Sequence, residues 1–134
     1  MVITRVADRM AERIKTLVYL DALVPEHGDS CHGLLRKALA PEVARQFLEG
    51  IRGVAREQHS GMVAPLSAEM FNVRPERLDR VNRRCMPQAL ATFEMPILLS
   101  GRAEAIKRRI FILADAWDPS PFRFFAKKYE GVAG

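Results

Sequence analysis

Two short runs of uninterrupted apolar residues set the terms for this 134-residue chain: Leu17-Val18-Tyr19-Leu20 and Ile110-Phe111-Ile112-Leu113-Ala114. A run of four or five apolar side chains without polar alternation suits a strand buried on both faces, the kind found inside a parallel sheet. The first run ends at Asp21 and the second at Asp115. A helical pattern precedes the first, with Ile3, Val6, Ala7 and Met10 at i, i+3, i+4 and i+7. Another follows the second, from Phe122 to Tyr129, with Ser120 in N-cap position ahead of Pro121. Helix, strand, strand and helix in that order read as α/β layering. Yet two strands cover neither each other's edges nor both of their faces. The expectation is a partial α/β fold: two parallel core strands with flanking helices. Their further neighbours are either unread strands here or parts of a larger domain, and an uncapped start at Met1 favours the second.

Between the strands the pattern is helical and interrupted. Glu26 to Ser30 is a polar turn. Val43, Phe47, Ile51 and Val54 form one apolar stripe of a helix opened by Pro41. Gln58 to Pro65 reads as a loop, and Pro87 to Phe93 as a short helical turn. Leu78, Val81 and Cys85 make the stripe of a helix opened by Pro75 and closed by Pro87. The expected organisation is one incomplete domain: core helix and strand over 1–24, a helical cap insertion over 25–105, and core strand and helix over 106–134.

Composition narrows the class. At 49% hydrophobic and 28% charged residues the chain is globular rather than disordered. No apolar run approaches the roughly 18 residues that cross a bilayer, and the first residues lack a signal-peptide pattern. Two cysteines, Cys31 and Cys85, make no disulfide framework, so a reduced, cytoplasmic protein without membrane partner is expected. The net charge of +5 permits nucleic-acid binding without demanding it. The densest basic stretch holds Arg74, Arg77, Arg80, Arg83 and Arg84. No aromatic residue interleaves with these arginines, and Glu76 and Asp79 offer i, i+4 partners to Arg80 and Arg83. The stretch reads as a solvated helix back, and no nucleic-acid partner is expected.

Several residues carry a resemblance. Met1-Val2-Ile3-Thr4-Arg5-Val6-Ala7-Asp8-Arg9, then Glu12-Arg13-Ile14, then Leu17 through Ser30, resemble the α/β-hydrolase superfamily. The branch is that of small bacterial esterases, plant methyl-ester esterases and hydroxynitrile lyases. There this stretch follows the Gly-His-Ser-Tyr-Gly-Gly nucleophile elbow. Met86-Pro87-Gln88-Ala89-Leu90-Ala91-Thr92-Phe93 is similar to the return from the helical cap, and Arg109 to Asp115 to the penultimate core strand. The resemblance implies a Ser-His-Asp triad in that chain order. Asp115 matches the position of the triad acid, with Asp118 as fallback. Asp21 and Leu23, after the first core strand, and Trp117, after the second, would border the acyl pocket. No cofactor and no metal are implied.

The departures matter as much. The nucleophile would lie just before Met1 and the imidazole beyond Gly134. His27, His32 and His59 all precede Asp115, so none fits the family order. An acid only orients and stabilises the base that deprotonates the serine. The 134 residues alone are therefore expected to lack triad-dependent esterase activity.

Other polar residues read more plainly. Gly28-Asp29-Ser30-Cys31-His32-Gly33 nearly spells a nucleophile elbow, but His32 occupies a position that requires glycine, so Ser30 is read as a turn or cap residue. Cys31 with His32 or His27 lacks a second ligand pair at zinc spacing. Phe122, Phe124 and Phe125 read as helix packing. The leading functional expectation is a carboxylic-ester hydrolase acting on small hydrophobic esters. The alternatives are a non-catalytic remnant or interaction protein, self-associating through unpaired strand edges, and a hydroxynitrile-lyase-like fragment.

Overall fold

The computed structural model describes residues 1–57, 61–71, 73–116 and 120–130. Helix α1 (Val2–Arg9) and a 3-10 turn (Ala11–Arg13) lead into β1 (Thr16–Leu20). Helices α2 (Cys31–Ala38) and α3 (Pro41–Glu57) follow. Next come β2 (Met62–Val63), a 3-10 turn (Ala68–Phe71), α4 (Pro75–Arg84), β3 (Gln88–Ala89) and α5 (Ala91–Glu94). A 3-10 turn (Arg102–Ala105) enters β4 (Arg108–Ile112), and α6 (Phe122–Ala126) with a 3-10 turn (Lys127–Tyr129) ends the order.

The two expected strands form and pair with each other in parallel, in register from Thr16 opposite Arg108 to Leu20 opposite Ile112. The chain is thus a mixed helix–sheet structure around a small parallel pair, compatible with a partial α/β fold. The expectation of burial on both faces does not hold. Leu17 and Tyr19 are each 3% exposed, while Val18 is 41%, Leu20 67% and Ile112 49% exposed. Alternate side chains of a strand point to opposite faces. All the described packing falls on the Leu17–Tyr19 face, where Ala7, Val24, Leu34, Ile106 and Phe125 complete one core cluster. Tyr19, Phe111 and Tyr129 stack over it, with ring centroids 5.7–6.4 Å apart.

Helix stripes are also shifted from expectation. On α1 the buried residues are Thr4, Ala7 and Asp8, whereas Ile3 and Val6 are exposed. The inward turn is set by a polar contact: Asp8 Oδ2 accepts the Ser100 amide at 2.7 Å and the Ser100 hydroxyl at 3.0 Å. On α3 the buried stripe is Ala44, Leu48 and Ala55, with Val43 and Val54 exposed. The buried positions thus carry two small alanines in place of the bulkier expected stripe. The expected loop over 58–65 contains β2, which pairs antiparallel with β3, Met62 opposite Ala89 and Val63 opposite Gln88. Two-residue strands leave no periodicity to read. Part of that loop, including His59, lies outside the described residues.

Candidate active site

Parallel strands open at the same end, so the loops after β1 and β4 lie side by side, where α/β folds place their ligands. Asp21 laces them together. Its amide donates to the Ile112 carbonyl at 2.9 Å, extending the ladder one step. Its carboxylate Oδ1 accepts the Ala114 amide at 2.7 Å. The residue holds a φ of +40°, a left-handed conformation that aspartate tolerates better than most residues. Such local strain persists only where surrounding contacts hold it.

Asp115 follows directly, in an exposed turn. Its backbone carbonyl accepts Arg123 Nη2 at 2.6 Å, so α6 ties down the turn that carries it. Among the described residues the Asp115 carboxylate makes no hydrogen bond. Leu23 is half-buried against the core cluster. Trp117 and Asp118 lie outside the described residues. Three of the five anticipated site residues, Asp21, Leu23 and Asp115, are therefore described, all on the two loops at the carboxyl end of the parallel pair. Sequence reasoning missed the roles of Ala114 and Arg123, whose contacts run through backbone groups that no residue type announces.

The other polar residues are engaged elsewhere. Ser30 caps α2, its hydroxyl accepting the Gly33 amide at 3.0 Å. The half-buried Cys31 thiol is pushed up by desolvation, which disfavours the thiolate that a nucleophile needs. His27 Nδ1 donates to the Leu99 carbonyl at 2.6 Å. Beside it, the Gly28 amide meets the Ile97 carbonyl and the Ile97 amide the Asp29 carbonyl, each at 2.8 Å. His32 is buried against Phe93. Both imidazoles are thus occupied in packing the segments 26–32 and 93–99 together. On the described residues, no three His, Cys, Asp or Glu side chains come together as a metal ligand set.

Two further features stand apart from the site. A cavity of about 530 Å³ is lined by Thr4, Asp8, Tyr19, His27, Lys107 and Tyr129 among others, but by neither Asp21 nor Asp115. Helix α4 buries none of its residues, and Arg83 pairs with Asp79 at 2.9 Å. Phe125 is buried, with the exposed Phe124 edge-on at 5.2 Å, as helix packing requires. Among the described residues no helix is long and apolar enough to cross a membrane.

The chain is similar over all 134 residues, at 60% identity, to carbendazim hydrolyzing esterase from Nocardioides sp. (strain SG-4G). It spans 55% of that protein's length, about half of the curated relative it matches. No protein-family model matches the chain. No solved structure matches it either.

Proposed function

We propose that these 134 residues form the middle of an α/β-hydrolase-type esterase, acting on small hydrophobic esters by Ser-His-Asp acyl transfer. Asp115 is the triad acid, with Asp118 as fallback, and Leu23 and Trp117 border the acyl pocket. Asp21 holds the two loops in register through the Ala114 amide. Residues 25–105 serve as the helical cover, and the nucleophile and imidazole come from outside this stretch. The observation that carries the reading is the match to an esterase across every residue of the chain. The position of Asp115, just past the carboxyl end of a parallel strand, supports it.

In this mechanism an imidazole supplied from outside this stretch takes the serine proton as the ester is attacked. Asp115 keeps that imidazole in the correct tautomer and stabilises the imidazolium that forms. The acid needs a fixed loop, and Arg123 and Asp21 supply the anchors. His27 and His32 do not serve as the base, since each is engaged away from Asp115.

The test is a chimaera in which these residues replace the matched stretch of the Nocardioides esterase. Hydrolysis of carbendazim and of p-nitrophenyl acetate is expected to survive the exchange. Asp115→Asn in the chimaera is expected to lower kcat about 10⁴-fold, as loss of a triad acid does. A folded but inactive chimaera, or full activity in both Asp115→Asn and Asp118→Asn, overturns the reading. The isolated chain is expected to show no turnover sensitive to Asp115→Asn.

A second reading is favoured by one observation, the exposed Val18, Leu20 and Ile112 face of the strand pair. In it the chain is a non-catalytic protein that associates through that face and the unpaired strand edges. Sedimentation equilibrium tests it, with a monomer at all concentrations as the outcome that removes it.

A further inference from the structure

Helix α2 carries one imidazole into the interior. His32 is 2% exposed, and its ring stacks on Phe93 with centroids 5.9 Å apart. Among the described residues neither ring nitrogen has a hydrogen-bond partner. Buried polar atoms in this condition are uncommon and cost stability, so the site is held by its surroundings rather than by its own bonds.

The charged groups around the ring come from each packed helix. Glu94 of α5 places Oε1 3.6 Å from Nδ1, beyond hydrogen-bond reach but within ion-pair distance. That oxygen is already occupied by Arg52 of α3, through Nε at 2.8 Å and Nη2 at 2.7 Å. Arg36, one turn along α2, adds a second cation to the surroundings. Helix α6 also packs on α2 and carries Arg123, whose Nη2 is directed to the Asp115 carbonyl. A neutral ring fits here. A protonated ring meets one carboxylate that Arg52 already holds, with two guanidinium groups close by.

We propose that His32 is an acid-operated latch on the helical segment. In its neutral form it locks α2 against α3 and α5. On taking a proton from solvent the ring faces Arg52 and Arg36, with the one nearby carboxylate already held by Arg52, so it leaves the interior and α5 separates from α2. Only an N–H bond is made in the switching step.

Desolvation, and after it the Arg52 charge, hold the imidazole below its ordinary value of 6.5, with Glu94 opposing them. The sign follows. The unfolded or opened chain takes up the proton first, so the closed arrangement is most stable above about 6.5 and weakens as pH falls. The latch stands independently of the esterase reading, because it concerns only α2, α3 and α5.

Amide hydrogen exchange on the 134-residue chain tests it, read at Phe93 and Met95 and corrected for intrinsic rates. Both amides donate within the α5 turn, to Leu90 and Ala91 carbonyls. Between pH 7.5 and pH 5.0 their exchange is expected to rise severalfold, because the open chain takes up the proton first. In His32→Phe the rise is expected to vanish. An equal rise in His32→Phe overturns the proposal. Should that variant fail to fold, proton NMR titration of His32 in the unaltered chain decides. A midpoint below 6.5 with concerted shifts at Phe93 supports the latch, and a midpoint at or above 6.5 overturns it.

Discussion

The two faces of the β1–β4 pair carry similar chemistry and meet opposite fates. Leu17 and Tyr19 on one face lie under α1 and α6, within the core cluster. Val18, Leu20 and Ile112 on the other meet no covering element among the described residues and remain exposed. An exposed contiguous apolar patch marks a surface meant to meet something. Burial is decided by what lies across a face, and strand composition states only what that face would accept. Under the proposed reading the open face is where the rest of the esterase scaffold packs.

Substitutions on the two faces sharpen this contrast. The largest stability effect is expected at Phe125, fully buried under the Leu17–Tyr19 face. Phe125→Ala should cost about 3–5 kcal/mol by urea titration. Leu17→Ala should follow at about 2–5 kcal/mol. Ser30→Ala, which removes the α2 cap, should cost about 1 kcal/mol. Leu20→Ser on the open face should change stability by no more than about 0.5 kcal/mol while lowering binding of an apolar dye. A loss at Leu20 equal to that at Leu17 would break the comparison, because it would mean that a second chain covers this face. A similarly small effect is expected at the exposed Glu26–Lys128 pair, 2.6 Å apart. Lys128 holds the Glu26 carboxyl below the usual carboxylate range. That contribution is present above the ordinary carboxylate value of 4.5 and fades as pH falls through the lowered one. Glu26→Gln should shift stability at pH 7 by about 0.2–1 kcal/mol, read from urea midpoints at pH 7 and pH 3.

Legibility in the sequence followed periodicity and special residues. Both parallel strands, the proline-opened helices at Pro41 and Pro75, and the cap at Ser30 were readable from residue type and spacing, whereas Pro121 rather than the expected Ser120 holds the N-cap position of α6. Helix facing was not readable. The stripe Val43, Phe47, Ile51, Val54 outscores Ala44, Leu48, Ala55 on hydrophobicity, yet the second set is the buried one. On α1 a single carboxylate, Asp8 on Ser100, 92 residues away, turned the helix against its apolar residues. At the candidate site β1 ends at Leu20, where its apolar run ends just before Asp21, whereas β4 ends at Ile112, two residues before its run does. The Asp21–Ala114 bond was not readable, because it joins residues 93 apart through a backbone amide.

By itself the sequence determined the local elements: two apolar runs become strands, and serine and proline mark where several helices begin. These are near-neighbour effects of backbone geometry and side-chain shape. Only the tertiary structure decided which face of the sheet is covered, which way α1 and α3 turn, and that His27 and His32 serve packing. Those outcomes depend on groups that meet across the fold, and the free energy of such a meeting is written in neither partner alone.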